Sequence, residues 1–172
     1  MRQMIIALFV IFTLSVVHAD EPPPRLKAAF DMLNSQRIKA GRPPFKWDNR
    51  LANAAQAQAD WDQTEYVAGR FSTARAHEGW DIFLSNAGWK GKCSQTGASG
   101  DSSSDGSYRT TDGWTHPPVD PVANLKFWTD WDMQNFKTMP YEIHIKNFMD
   151  ANWTHVGLGW NRGFLITNYG HP

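Results

Sequence analysis

The sequence predicts one domain in which helices are combined with strands, and two stretches carry that expectation. The chain opens with helical periodicity: Leu26, Ala29, Phe30, Leu33, Arg37 and Ile38 recur at helical spacing, as do Leu51, Ala54, Ala55, Gln58, Ala59 and Asp62 further on. It closes with strand periodicity, where Val156 and Leu158 alternate with Gly157 and Gly159 before Phe164-Leu165-Ile166-Thr167-Asn168-Tyr169-Gly170. Glycines inside a strand mark places where another backbone comes close.

The elements follow in order. Arg2, the apolar run Met4 to Val17, and Val17-His18-Ala19 before Asp20 have the layout of a secretory leader, so residues 1–19 are expected to be removed. That run is shorter than the roughly 18 residues a spanning helix needs. Residues 20–24, with Pro22-Pro23-Pro24, form a stiff extended lead-in, and 25–172 form the domain. A first helix runs from Leu26 to Ala40 and stops at Gly41, ahead of Pro43-Pro44. Asp48 is placed to cap a second helix from Asn49 to about Thr64. Trp80 to Ala87 reads as a short helix ended by Gly88-Trp89. The Ser-, Gly-, Asp- and Thr-rich stretch Ser94 to Ser107 reads as a loop or rim that cannot bury a face. A further helix is expected from Val122 to about Phe136 and another around His144, with Phe148 and Met149 on the same side as that histidine. Two strands separated by the turn Asn161-Arg162-Gly163 end the chain.

Composition excludes several classes. Seventeen Lys and Arg balance seventeen Asp and Glu, and they are interspersed, so there is no basic stripe for a phosphate backbone and no nucleic-acid partner is expected. No apolar stretch after the leader could cross a membrane. Cys93 is the only cysteine, so an exported form would rest on its hydrophobic core rather than on disulfides. The mature length of about 150 residues suits one core, and a monomer is the default. The nine tryptophans read mainly as packing residues.

Two motifs, one at each end, resemble a known superfamily. The opening Leu33-Asn34-x-x-Arg37-x-x-x-Gly41-x-Pro43-Pro44-Phe45-x-Trp47-Asp48-x-x-Leu51-x-x-Ala54-Ala55 is similar to the start of CAP domains, the superfamily of cysteine-rich secretory, antigen 5 and pathogenesis-related 1 proteins. The segment His144 to Gly159, with Asn147, Trp153-Thr154, Val156-Gly157 and Leu158-Gly159, resembles the end of the simpler bacterial members, the SCP-type domains. The resemblance implies an α+β fold, a three-layer α-β-α sandwich with a central antiparallel sheet. It also implies a cleft lined by two histidines and two glutamates, in which some members hold a divalent ion.

Carried over residue by residue, the resemblance assigns His77 and His144 to the two histidines, as lining residues and as candidate ligands of Zn²⁺. The carboxylates depart from the pattern. Where the family's Gly-Glu-Asn element is expected, the chain reads Ser94-Gln95-Thr96, which puts Gln95 in the place of the glutamate. Asp130 and Asp132, after Trp128, are the candidates for the second carboxylate, and Glu78 and Glu142 lie off the pattern. An amide keeps its hydrogen bonds but cannot act as a general base. On the residues alone, the favoured reading of His144 is a hydrogen-bonded core histidine, and Cys93 reads as a structural or free thiol.

The function expected from this is a secreted or periplasmic module whose cleft holds a small apolar, lipid-like ligand or a cell-surface partner without turnover. The rivals are a metal-assisted hydrolase using His77 and His144, and a structural component of an extracellular assembly. Oxygen-bearing side chains at Asp101, Ser103, Asp105 and Asp112, with Gly106, have the spacing of a calcium loop, though the stretch also reads as simple solvated sequence. Asn152-Trp153-Thr154 is a glycosylation sequon, which places Asn152 at the surface.

Overall fold

A computed structural model describes residues 20–99, 121, 122, 125 and 143–172. Helix α1 spans Pro24–Lys39, with proline in its first turn, where a missing N–H costs nothing. It ends in a Schellman closure: Gly41 takes φ 70°, its N–H donates to Ile38 O, and Arg42 N–H donates to Arg37 O. Strand β1, Lys46–Trp47, leads directly into helix α2, Asn49–Val67. Asp48 caps α2 as expected, its carboxylate accepting from the N–H groups of Arg50 and Leu51. Helix α2 runs about a turn past Thr64, because its stop is the left-handed Gly69, again with Schellman bonds to Tyr66 O and Glu65 O. Asp20 ties the start of the described chain to this helix, accepting from the backbone and side-chain nitrogens of Asn49 at 3.0 and 2.8 Å.

A 3₁₀ turn at Thr73–Arg75 precedes α3, Trp80–Asn86, and Gly88 closes α3 where the sequence placed its end. Strand β2 spans Lys92–Ser99. Here the expectation of a loop from Ser94 onward is corrected: Ser94 to Ser99 pair residue by residue with the final strand. Small polar side chains hid the strand, since what builds it is backbone hydrogen bonding to an apolar partner rather than a face of its own. Residues 100–107 lie outside the described part. Pro121, Val122 and Leu125 have helical backbone, in keeping with the helix expected there. Helix α4 is Ile143–Met149, and strands β3, His155–Asn161, and β4, Phe164–His171, form the closing hairpin.

The described strands form one sheet in the order β1-β3-β4-β2. It is antiparallel from β3 through β4 to β2, while the short β1 runs parallel to β3 and makes the sheet mixed at that edge. Helices cover both faces, which gives the α-β-α sandwich. One face carries Val156, Leu158, Trp160, Leu165 and Tyr169, packed against Leu26, Ala29 and Leu33 of α1, Phe148 of α4, and Leu125. The other face meets α2 and α3 through Phe164 and Ile166, with Leu51, Ala54, Ala55, Ala59, Leu84 and Trp89 filling that layer.

The glycines of β3 explain how closely α2 lies on the sheet. A Cβ at Gly157 would stand 2.0 Å from Ala52 N, and one at Gly159 would stand 2.2 Å from the Ala55 carbonyl carbon. The helix backbone therefore rests on the strand backbone, as glycines within a strand allow. Not every apolar residue of the helical pattern is buried: Ile38 is 60% exposed, whereas Arg37 beside it is 1% exposed. The Arg37 guanidinium lies over the Phe45 ring and donates to the carbonyls of Phe148, Asp150, Trp153 and Pro43. It thus satisfies carbonyls left open at the end of α4 and in the turn that follows.

Candidate functional site

The site is built on the α2 side of edge strand β2. In a strand, alternate residues share a face, so Cys93, Gln95 and Gly97 point one way and Ser94 and Thr96 the other. Thr96 accordingly reaches Tyr169 Oη on the α1 side, while Cys93 packs with Leu51, Leu84 and Trp89. His77 lies on the turn before α3, exposed at the surface and next to β2. Its Nδ1 stands 2.7 Å from Gln95 Oε1. A Cβ on Gly97 would come no nearer to His77 Cε1 than 3.9 Å, so no β2 side chain separates the ring from the strand.

Behind this pair runs a line of hydrogen bonds. Gln95 Nε2 donates to Asn168 Oδ1 at 2.9 Å, and Asn168 Nδ2 donates to the Leu51 carbonyl at 3.1 Å. Asn168 is 0% and Gln95 9% exposed, so water competes little for these bonds. Sequence reasoning placed His77 and Gln95 in one cleft with His144, Asp130 and Asp132, and the structure shows the first two in contact. It missed Asn168, although a polar residue at the inward-facing β4 position between Ile166 and Gly170 was an available signal.

Of the other predicted residues, His144 is described in its backbone alone. It belongs to helix α4, whose Phe148 packs in the layer shared with α1. The His144 side chain, Asp130, Asp132, Glu142, His116 and the Asp101–Asp112 loop are outside the described residues. Glu78 is exposed and accepts from Arg75 Nε at 2.6 Å, which ties it to the surface. The same Arg75, with Arg70, holds Glu65 as a carboxylate below its ordinary pKa, chiefly through the Arg70 hydrogen bonds. Burial pushes the Cys93 thiol up to about 12, so it is no thiolate at neutral pH. His155 opens β3 with Nδ1 2.9 Å from Thr154 Oγ1, and burial holds its pKa below the usual histidine value. Asn152 is exposed, as its sequon requires.

An open pocket of about 580 Å³ lies at the far end of β2 and β4, between Lys92, His171 and the Asp150–Thr154 turn, and takes in neither His77 nor Gln95. Among the described residues, no three His, Cys, Asp or Glu side chains converge as a metal site would require. At this site Nδ1 of His77 faces Gln95, which leaves Nε2 as the ring nitrogen open to a cation.

The comparisons with known proteins agree with this architecture. A model of the CAP family, described as the cysteine-rich secretory protein family, matches residues 30–164. An extracellular protein containing an SCP domain, from Bacillus anthracis str. Ames, superposes with a TM-score of 0.59 at 18% identity, covering 85% of this chain and 40% of that one. A cysteine-rich secretory protein from Staphylococcus aureus subsp. aureus Mu50 gives 0.56 at 16% identity, covering 91% of this chain and 40% of that one. This chain thus spans about two fifths of the length of either protein, and the likeness is one of fold. No curated protein matches it by sequence. The two end motifs, the α-β-α layers and the family match over residues 30–164 lead to one conclusion: this chain belongs to the CAP family.

Proposed function

We propose that this chain is an exported CAP domain that binds a small apolar molecule, or an apolar group on a cell-surface partner, beside His77, without chemical turnover. The observation that carries this reading is the contact between His77 and Gln95. A general base needs a group that can take a proton in the working pH range, and an amide has none. Here the amide is also committed on both sides, to Nδ1 of His77 and to Asn168. Gln95 can hold and orient the ring, but it cannot itself take a proton as the glutamate of the family pattern could.

Export fits the leader-like residues 1–19 and the absence of any helix, among the described residues, long and apolar enough to cross a membrane. A hydrolase using His77 and His144 around Zn²⁺ would need the two imidazoles to converge on the ion, and a carboxylate from a position other than 95 to act as base. Assays of the exported protein on p-nitrophenyl esters and on casein, with and without added Zn²⁺, test the choice. We expect no turnover above the buffer blank. Hydrolysis that a chelator abolishes would overturn the binding reading in favour of the metal-assisted one.

A further inference from the structure

We infer that Asn168 is a positioning residue: through Gln95 it fixes the proton of the His77 ring on Nδ1 and leaves the lone pair on Nε2. The chain of reasoning starts at a group with no choice. The Leu51 carbonyl can only accept, so the Asn168 atom 3.1 Å away must be the NH₂ end of its amide. Asn168 Oδ1 then faces Gln95, and an oxygen acceptor at 2.9 Å requires the Gln95 NH₂. Gln95 Oε1 is thereby turned to His77, and at 2.7 Å from it Nδ1 must carry the hydrogen. Each amide could be reversed alone only by setting oxygen against oxygen or NH₂ against N–H in a buried place, where an unmade hydrogen bond costs about 1–3 kcal/mol. The direction set at a backbone carbonyl of α2 is therefore passed through two side chains to a ring on the surface.

The consequence rests on the reading that bound molecules meet His77. A neutral ring with its proton locked on Nδ1 offers an acceptor at Nε2. It suits a partner that brings a donor, such as a hydroxyl or an amide N–H, and gives a neutral-pH carboxylate nothing to bind. Gln95 suits this arrangement better than a glutamate, which could not donate to Asn168 Oδ1.

Long-range ¹H–¹⁵N spectra of the ¹⁵N-labelled, ligand-free mature chain, at a pH where the ring is neutral, read the tautomer directly. Because no ligand is present, the outcome is separate from that of any binding or turnover assay. The expected wild-type pattern is a pyrrole-type Nδ1 and a pyridine-type Nε2. In Asn168→Ala, the Gln95 amide loses its orienting partner and signals of the Nε2–H form should appear. Gln95→Met removes the acceptor to His77 while Asn168 keeps its bond to the Leu51 carbonyl, and it carries the same expectation if Asn168→Ala does not fold. A wild-type ring protonated on Nε2, or a folded variant whose ring stays wholly in the Nδ1–H form, would overturn the assignment. Loss of backbone order alone would not mimic the expected result, since the readout is which nitrogen bears the proton.

Discussion

Gln58 and Asp62 lie one turn apart on the buried side of α2, where hydrophobic residues would be the ordinary choice. Asp62 is 1% exposed, accepts from Gln58 Nε2 at 3.0 Å, and is pushed by burial up to about 7 from the ordinary 3.8. A neutral carboxyl suits its surroundings, because Gln58 Oε1 has no hydrogen-bond partner among the described residues. Between those two values the folded chain binds more protons at Asp62 than the unfolded chain does. The Asp62 contribution is therefore full below about pH 4 and lost as pH rises towards 7, with a slope of at most about 1.4 kcal/mol per pH unit. Asp48 and Glu65, whose pKa values are lowered, act in the opposite sense and lose their contribution as pH falls through the acid range. His155 also opposes Asp62, since its lowered pKa makes the fold gain stability as pH rises towards the ordinary histidine value. Asp62→Asn isolates the one effect. Urea midpoints measured from pH 4 to pH 8 should fall less with pH, or rise more, in the variant than in the wild type. Parallel curves would mean that Asp62 is already ionised in the fold. Gly159→Ala makes a second test at this scale, since its methyl would drive into the α2 backbone. A loss of about 1–3 kcal/mol or more in urea unfolding is expected, and a midpoint equal to wild type would contradict the packing of α2 on β3.

At the scale of elements, the legible parts were those whose own residues state their period. Helix α1, the cap at Asp48, the short helix before Gly88 and the closing hairpin all follow from spacing and punctuation. Strand β2 was not legible, because Ser94, Thr96 and Ser99 carry no apolar alternation and its pairing is decided by β4, about 70 residues away in sequence. The length of α2 was misjudged for a local reason: the stop is Gly69, beyond a stretch of charged and polar residues that reads as helix end. The role of Arg37 was hidden in the same way, since a helical pattern gives its face but not the carbonyls that wait there. Arg37→Met keeps much of the volume and removes the donors. It should destabilise by about 1.5–3 kcal/mol, from hydrogen bonds to a charged group, and amide exchange should quicken over residues 148–154 ahead of the rest. Uniform quickening across the chain would mean that Arg37 does not hold the end of α4.

At the scale of the whole molecule, two helical layers are held apart by one sheet, and the described half of the candidate site stands on the side of α2. The sequence reached His77 and Gln95 through the family register, and the two stand 2.7 Å apart. It did not reach Asn168, because a residue that acts through another leaves no spacing motif of its own. The chemistry follows from the sum: a histidine held by an amide, the amide held by a second amide, and that one held by the backbone of the central helix. Such a site is preorganised for holding a partner. The most direct test of that claim is native mass spectrometry of the full chain exported with its own leader and kept from detergent. The account predicts a mature chain beginning at Asp20 that carries one small non-covalent apolar molecule. A mature chain that emerges at its bare polypeptide mass would contradict it.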